Sequence, residues 1–178
     1  MKKILVVVDY QNDFVNGSLG FKKAELLEDK IYKKVTEYLK EGNKVIFTYD
    51  THYDNYMETR EGVNLPIKHC IENTQGHELY GKIAEFKNTA DTIHIKKESF
   101  GVAPEDIIDI YKQTGDVDAI ELVGLVSNIC VISNVCTFQS KYVNAQILVN
   151  KNLCASNDEE IHEKVIDIMR GLQVKVTE

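Results

Sequence analysis

The sequence has no Cys-x-x-Cys pair. Its four cysteines stand at 70, 130, 136 and 154, a spacing that builds neither a metal ribbon nor a disulfide framework, so free thiols in a reducing compartment are expected, each core filling or a reagent. Nowhere does an apolar run approach the ~18 residues of a membrane helix. The N-terminal run Ile4 to Val8 stops at Asp9 and is too short for an export signal, so the chain is expected to be cytoplasmic with no membrane partner. Clusters of basic side chains are also missing. With 21 Lys+Arg against 28 Asp+Glu and a net charge of -7, the chain offers a phosphate backbone little to hold, and no nucleic-acid partner is expected. No glycine-rich cradle follows the first apolar run, where the turn reads Asp9-Tyr10-Gln11-Asn12, which argues against dinucleotide and nucleoside-triphosphate enzymes. Ser99 has no neighbouring histidine and Ser127 suits a helix cap, so a Ser–His–Asp triad is unsupported.

What is present is ordinary in bulk and specific in detail. A chain of 178 residues, 43% apolar and 28% charged, suits one soluble domain with a real core. Short β-branched runs at 3–8, 44–48, 92–95, 119–123, 146–149 and 174–176 read as strands, mostly buried on both faces. Between them, helical patterns span 25–41, 104–113, 127–141 and 158–170, with Pro104 at a helix start and Gly42 and Gly171 at helix ends. The alternation predicts a single-domain, three-layer α/β/α fold around a doubly wound, mostly parallel sheet. The long irregular stretch from Asp50 to Ala90 is expected to be an excursion that builds a site.

In such sheets ligands bind beyond the carboxyl ends of the strands. Asp9 follows the first run, Asp50-Thr51-His52 the second, Lys97 the third and Gly124 to Cys130 the fourth. Cys130, in the first turn of a helix, is either a small buried hydrophobe or a nucleophile whose thiolate and oxyanion are favoured by unpaired backbone N–H groups. Cys136, rotated away from it, is expected in the core. Asp9 and Lys97 are either a structural ion pair or an acid–base pair serving that sulfur. Asp13 is expected to cap or close its turn. Asp50, His52 and His69 suit a borderline divalent metal such as zinc, iron or manganese, completed by Glu61 or Glu58, unless all are solvated surface groups. His77, His94 and His162 show no ligand spacing, and His162 is expected in solvent.

Asp9-x-Gln11-Asn12-Asp13-Phe14, Lys97-x-x-Phe100 and Gly124-x-x-Ser127-x-x-Cys130 together resemble the isochorismatase-like cysteine hydrolases, and within them the metal-dependent nicotinamidases. The resemblance runs from residue 3 to about 175. It implies the isochorismatase-like hydrolase fold, a catalytic trio of Asp9, Lys97 and Cys130, and a cis peptide at Val126–Ser127 with an oxyanion hole from the N–H groups of Ser127 and Cys130. It further implies Phe14 and Phe100 flanking a flat substrate, a divalent metal, foremost zinc, and a homo-oligomer. Asp50-x-His52 and Pro66-Ile67-Lys68-His69-Cys70 resemble the family's metal segments, with one extra residue between Pro66 and His69. Isochorismatases proper lack this metal set, so the resemblance points to a small-molecule amide, with nicotinamide first, another amide or carbamoyl compound second, and a non-catalytic binding domain as the remaining alternative.

Overall fold

The computed structural model describes residues 1–178. Along the chain run β1 (Lys3–Val8), α1 (Asn12–Val15), α2 (Lys22–Glu25), α3 (Glu28–Lys40), β2 (Lys44–Asp50), α4 (Arg60–Asn64), β3 (Thr92–Lys97), α5 (Pro104–Thr114), β4 (Ala119–Leu125), α6 (Ile132–Lys141), β5 (Gln146–Ala155), α7 (Glu159–Gly171) and β6 (Lys175–Thr177). The strands form one 6-stranded sheet in the order β3-β2-β1-β4-β5-β6. Every pairing in it is parallel. The chain winds outward from β1 to β3, then crosses back and winds from β4 to β6. That reversal opens a crevice beyond the carboxyl ends of β1 and β4, where an open α/β sheet takes its ligand.

Burial explains why the strand runs lack alternation. Ile4, Val6 and Val8 pack with Ile110, Phe138, Val165 and Met169 on one face. Leu5 and Val7 pack with Ile31, Val35, Tyr38 and Phe86 on the other. Period-2 side chains thus enter two different cores, and both must be apolar. Each such residue contributes roughly 1.5–3 kcal/mol when fully buried. The two edge strands depart from the expectation: β3 buries two of its six residues and β6 none of its three. Gly124, at φ 115, lets β4 approach β1; a Cβ there would run into the Val8 carbonyl.

The excursion from Thr51 to Asp91 is built from α4 and 3₁₀ turns at Tyr56–Glu58, Gln75–His77 and Gly81–Asn88. A bridge between Gln11 and Leu79 ties it to the sheet end, and one between His52 and Ile71 closes it on itself. Two sequence expectations fail in the helices. Cys136 is exposed because Val135 and Phe138 take the inward face of α6. His162 is buried because the inward face of α7 is His162, Val165, Ile166 and Met169, one continuous helical stripe. No helix is long and apolar enough to cross a membrane.

Candidate active site

Asp9 is fully buried at the end of β1, with a left-handed backbone at φ 46. For a non-glycine residue this is a costly conformation, and such residues concentrate at sites where a side chain must be aimed. Thr48, on the neighbouring β2, fixes the acid: its hydroxyl donates to Asp9 Oδ1 at 2.6 Å. Lys97 ends β3 and reaches over β2, so its ammonium, buried from water, lies 2.7 Å from Asp9 Oδ2 and 3.3 Å from Asp50 Oδ1. The same nitrogen is 3.7 Å from the sulfur of Cys130. Ion pairing to Asp9 is close but off the line of a hydrogen bond, so Asp9 Oδ2 has no hydrogen-bond donor of its own.

Burial pushes the Cys130 thiol well above its ordinary value; Lys97 opposes this, while the charges of Asp9 and Asp50 add to it. Burial also raises the Asp9 carboxyl, against the attraction of Lys97. Lys97 itself is raised, its burial overridden by Asp9, Cys130 and Asp50. The resting sulfur is therefore a thiol. The helix start alone does not make a thiolate here, and the acid is the proton's nearest acceptor.

Beside this trio, Asp50, His52, Glu61 and His69 present ligand atoms that all lie within 4.8 Å of one another. Asp50 Oδ2 is 3.0 Å from His52 Nε2 and 3.3 Å from His69 Nε2, and Glu61 Oε1 is 3.7 and 3.6 Å from the same nitrogens. His69 Nδ1 lies 2.8 Å from the Ile67 carbonyl, which can only accept, so Nδ1 carries the proton and Nε2 is left facing the cluster. Although burial lowers it, Asp50, Glu61 and the Ile67 carbonyl push the His69 imidazole up to about 10, so the two carboxylates favour a positive charge at this spot. Two imidazoles and two carboxylates converging on one point fit a divalent borderline metal. Of the two candidates for the fourth position, Glu61 joins the cluster and Glu58 does not. Thr59 caps α4 by accepting from Gly62 N–H at 3.0 Å, which places Glu61 in the cluster, whereas Glu58 is exposed on the preceding turn and outside it.

A cavity of about 640 Å³ opens onto both groups, with Phe14, Phe100, Val126 and Ile129 among its walls and Cys130, Asp50, Glu61 and His69 also lining it. Phe14 packs against His69 at 5.5 Å between ring centres, and Phe100 is 38% exposed.

Several supporting bonds around the site escaped the sequence. Gln11 holds the backbone of Asp50 from both sides: Asp50 N–H donates to its Oε1 at 2.8 Å and its Nε2 donates to Asp50 O at 2.9 Å. Asp13 does close its turn loosely, through Ser18 N–H at 3.4 Å, but its shorter bond is from Cys70 N–H at 2.8 Å, which seats the segment carrying His69. Asn134 donates to the carbonyls of Cys130 and Phe100 and accepts from Val102 N–H, joining the Cys130 turn to the loop after Lys97. Only Asn134, one turn after Cys130, carried a legible spacing.

The turn from Ser127 to Val131 is π-helical before α6 begins, with Ile129 and Val131 N–H both donating to Val126 O. The cis peptide lies at Leu125–Val126, one bond earlier than expected, where β4 ends. Ser127 does not cap the helix. Val126 takes that position, and the buried Ser127 hydroxyl instead pairs with Nδ1 of buried His162 at 2.9 Å. Ser127→Ala strands that nitrogen and is expected to lower stability by about 1–3 kcal/mol in denaturant unfolding, with Ser127→Thr retaining most of it. An unchanged midpoint in the alanine variant would show that the bond contributes nothing.

The isochorismatase domain matches residues 3–178. The crystal structure of nicotinamidase/pyrazinamidase PncA from Bacillus subtilis superposes with a TM-score of 0.89 over 100% of both chains, at 27% identity. The nicotinamidase of Saccharomyces cerevisiae is 24% identical, covering 99% of each chain. The pyrazinamidase of Pyrococcus horikoshii, solved in complex with zinc, superposes with a TM-score of 0.85 at 21% identity, over 100% of this chain and 99% of that one. With a matching domain over nearly its whole length and the same fold, the chain belongs to the isochorismatase domain family and is a hydrolase.

Proposed function

We propose that this chain hydrolyses nicotinamide to nicotinate and ammonia through a thioester on Cys130. The observation that carries the reading is the single ammonium of Lys97, buried behind the cavity wall at 2.7 Å from the Asp9 carboxylate and 3.7 Å from the sulfur of Cys130, which itself lines the cavity. That is the constellation of an activated nucleophile: a weak acid, its base, and a third group that orients the base. The nicotinamidase names of the family members it resembles are consistent with this substrate.

Asp9 takes the thiol proton while Lys97 balances the negative charge that moves onto sulfur. The sulfur attacks the carboxamide carbon, and the carbonyl oxygen gains the charge. Neither Ser127 nor Cys130 spends its N–H on a backbone carbonyl outside the turn, and these two donors are assigned to that oxygen. The C–N bond breaks, Asp9 returns its proton to the departing nitrogen, and ammonia leaves. Water then gives a proton to Asp9 and adds to the thioester; the C–S bond breaks, the sulfur recovers that proton, and the carboxylic acid product ionises. Phe14 and Phe100 hold the ring between them. A divalent ion, zinc before iron or manganese, held by Asp50, His52, Glu61 and His69, supplies when bound a Lewis-acidic anchor for the pyridine nitrogen.

Because burial raises the Asp9 carboxyl above its ordinary 3.8, the acid limb of kcat/KM is expected above that pH. The test is ammonia release from nicotinamide and pyrazinamide, with and without chelator. Release from both, lost on chelation, is expected. Glu61→Ala should weaken metal retention on dialysis by on the order of 10–100-fold or more, while Glu58→Ala retains the ion. No ammonia from either amide in metal-loaded protein would sink the reading.

A further inference from the structure

A single-ring amide leaves much of this cavity unexplained. About 640 Å³ is space of the kind that accepts drug-sized ligands. Cys130, the metal cluster and the two phenylalanines account for a carboxamide, a ring nitrogen and two ring faces. The remaining wall includes Arg60, Asn64 and Asn157. Arg60 is the one lysine or arginine lining the cavity, and its guanidinium makes no hydrogen bond and no ion pair within the chain. Its neighbour Glu61 does not serve it. Adjacent helical residues diverge, and Glu61 is turned to His52 and His69. Lys97, the other nearby cation, is already met by Asp9 and Asp50.

Asn64 lies one helical turn beyond Arg60, on the same face, and its amide donates to the Arg60 carbonyl at 2.7 Å, bracing α4 at this point. Asn157, from the loop after β5, adds a polar side chain to the lining. The result is a cation with a free planar fork, an arrangement that matches a carboxylate and that a neutral amide does not use.

Resting on the amide-hydrolase reading above, we propose that Arg60 is a specificity residue and that the preferred substrates are aromatic carboxamides carrying a second, carboxylate substituent. The carboxylate pairs with the Arg60 guanidinium while the carboxamide sits over Cys130. The chemistry at sulfur is unchanged; what the added charge alters is binding.

The test compares nicotinamide, pyridine carboxamides bearing a ring carboxylate at each free position, the corresponding methyl esters, and an aliphatic N-carbamoyl amino acid. For at least one ring position the carboxylate should exceed its ester by about tenfold or more in kcat/KM, chiefly through KM. Arg60→Ala should erase that preference, Arg60→Glu should reverse it, and Arg60→Lys should keep part of it. Arg60 is exposed, so these variants are expected to fold. Equal rates for acid and ester, or a preference that survives Arg60→Ala, overturns the proposal while hydrolysis of nicotinamide leaves the amidase reading standing. A preference confined to the N-carbamoyl amino acid overturns the aromatic assignment. No hydrolysis of any compound overturns both.

Discussion

Cys130→Ala is expected to lower kcat for nicotinamide by on the order of 10⁵-fold or more, the scale seen when a covalent nucleophile is deleted from a preorganised site. The fold should survive. Cys130 is 3% exposed and packed in the larger apolar cluster, where exchanging a thiol for a hydrogen removes little contact, so the stability change should stay within about 1 kcal/mol. These two results together separate a reagent from core filling. A structural cysteine gives normal turnover in the alanine variant; a nucleophile gives a folded and inactive protein, checked by ammonia release beside denaturant unfolding.

Lys97→Met tests the other half of the site. Its ammonium is buried between Asp9 and Asp50, and removing it leaves two carboxylates without their cation. Breaking a buried pair from one side typically costs about 3–5 kcal/mol, because the remaining charge stays desolvated. The pH dependence has a definite sign. The Lys97 ammonium is raised in the folded protein, so its contribution is complete below the ordinary lysine value and is lost as pH rises through the folded one. At neutral pH the full cost of the substitution should therefore appear. Asp9 is raised already, by burial first, and without Lys97 the opposing attraction is gone, so it takes up a proton more readily. The gap between variant and parent should narrow as the solution is made acidic. Urea unfolding at neutral and mildly acidic pH checks both statements; a loss below about 1 kcal/mol at neutral pH would mean that the ammonium is not a buried counter-ion. Activity should fall with it, since Asp9 loses the charge that opposes its protonation.

Strands and site residues were legible in the sequence for different reasons. The run Ile4 to Val8 read as a doubly buried strand because both of its faces enter cores, a property local to the strand. Asp9, Asp50, Lys97 and the segment to Cys130 stood out because parallel strands end at one rim, so position along the chain encodes position in space. Choosing Glu61 over Glu58 needed the cap at Thr59, a three-dimensional detail that counting residues does not provide. The supporting shell was least visible. Thr48 meets Asp9 across 39 residues, and His162 meets Ser127 across 35. Neither partner carries a spacing signal of its own, because a hydrogen bond between distant segments leaves no periodic trace. His162 is the instructive exception: its place on the inward stripe of α7 was readable, and its polarity masked it.

Acid-quenching the protein during nicotinamide turnover and mapping its peptides measures the bond on which everything rests. A nicotinoyl group should be recovered on the peptide bearing Cys130, and on no other cysteine. Steady ammonia release with that peptide unmodified throughout would contradict the thioester and return the sulfur to the core.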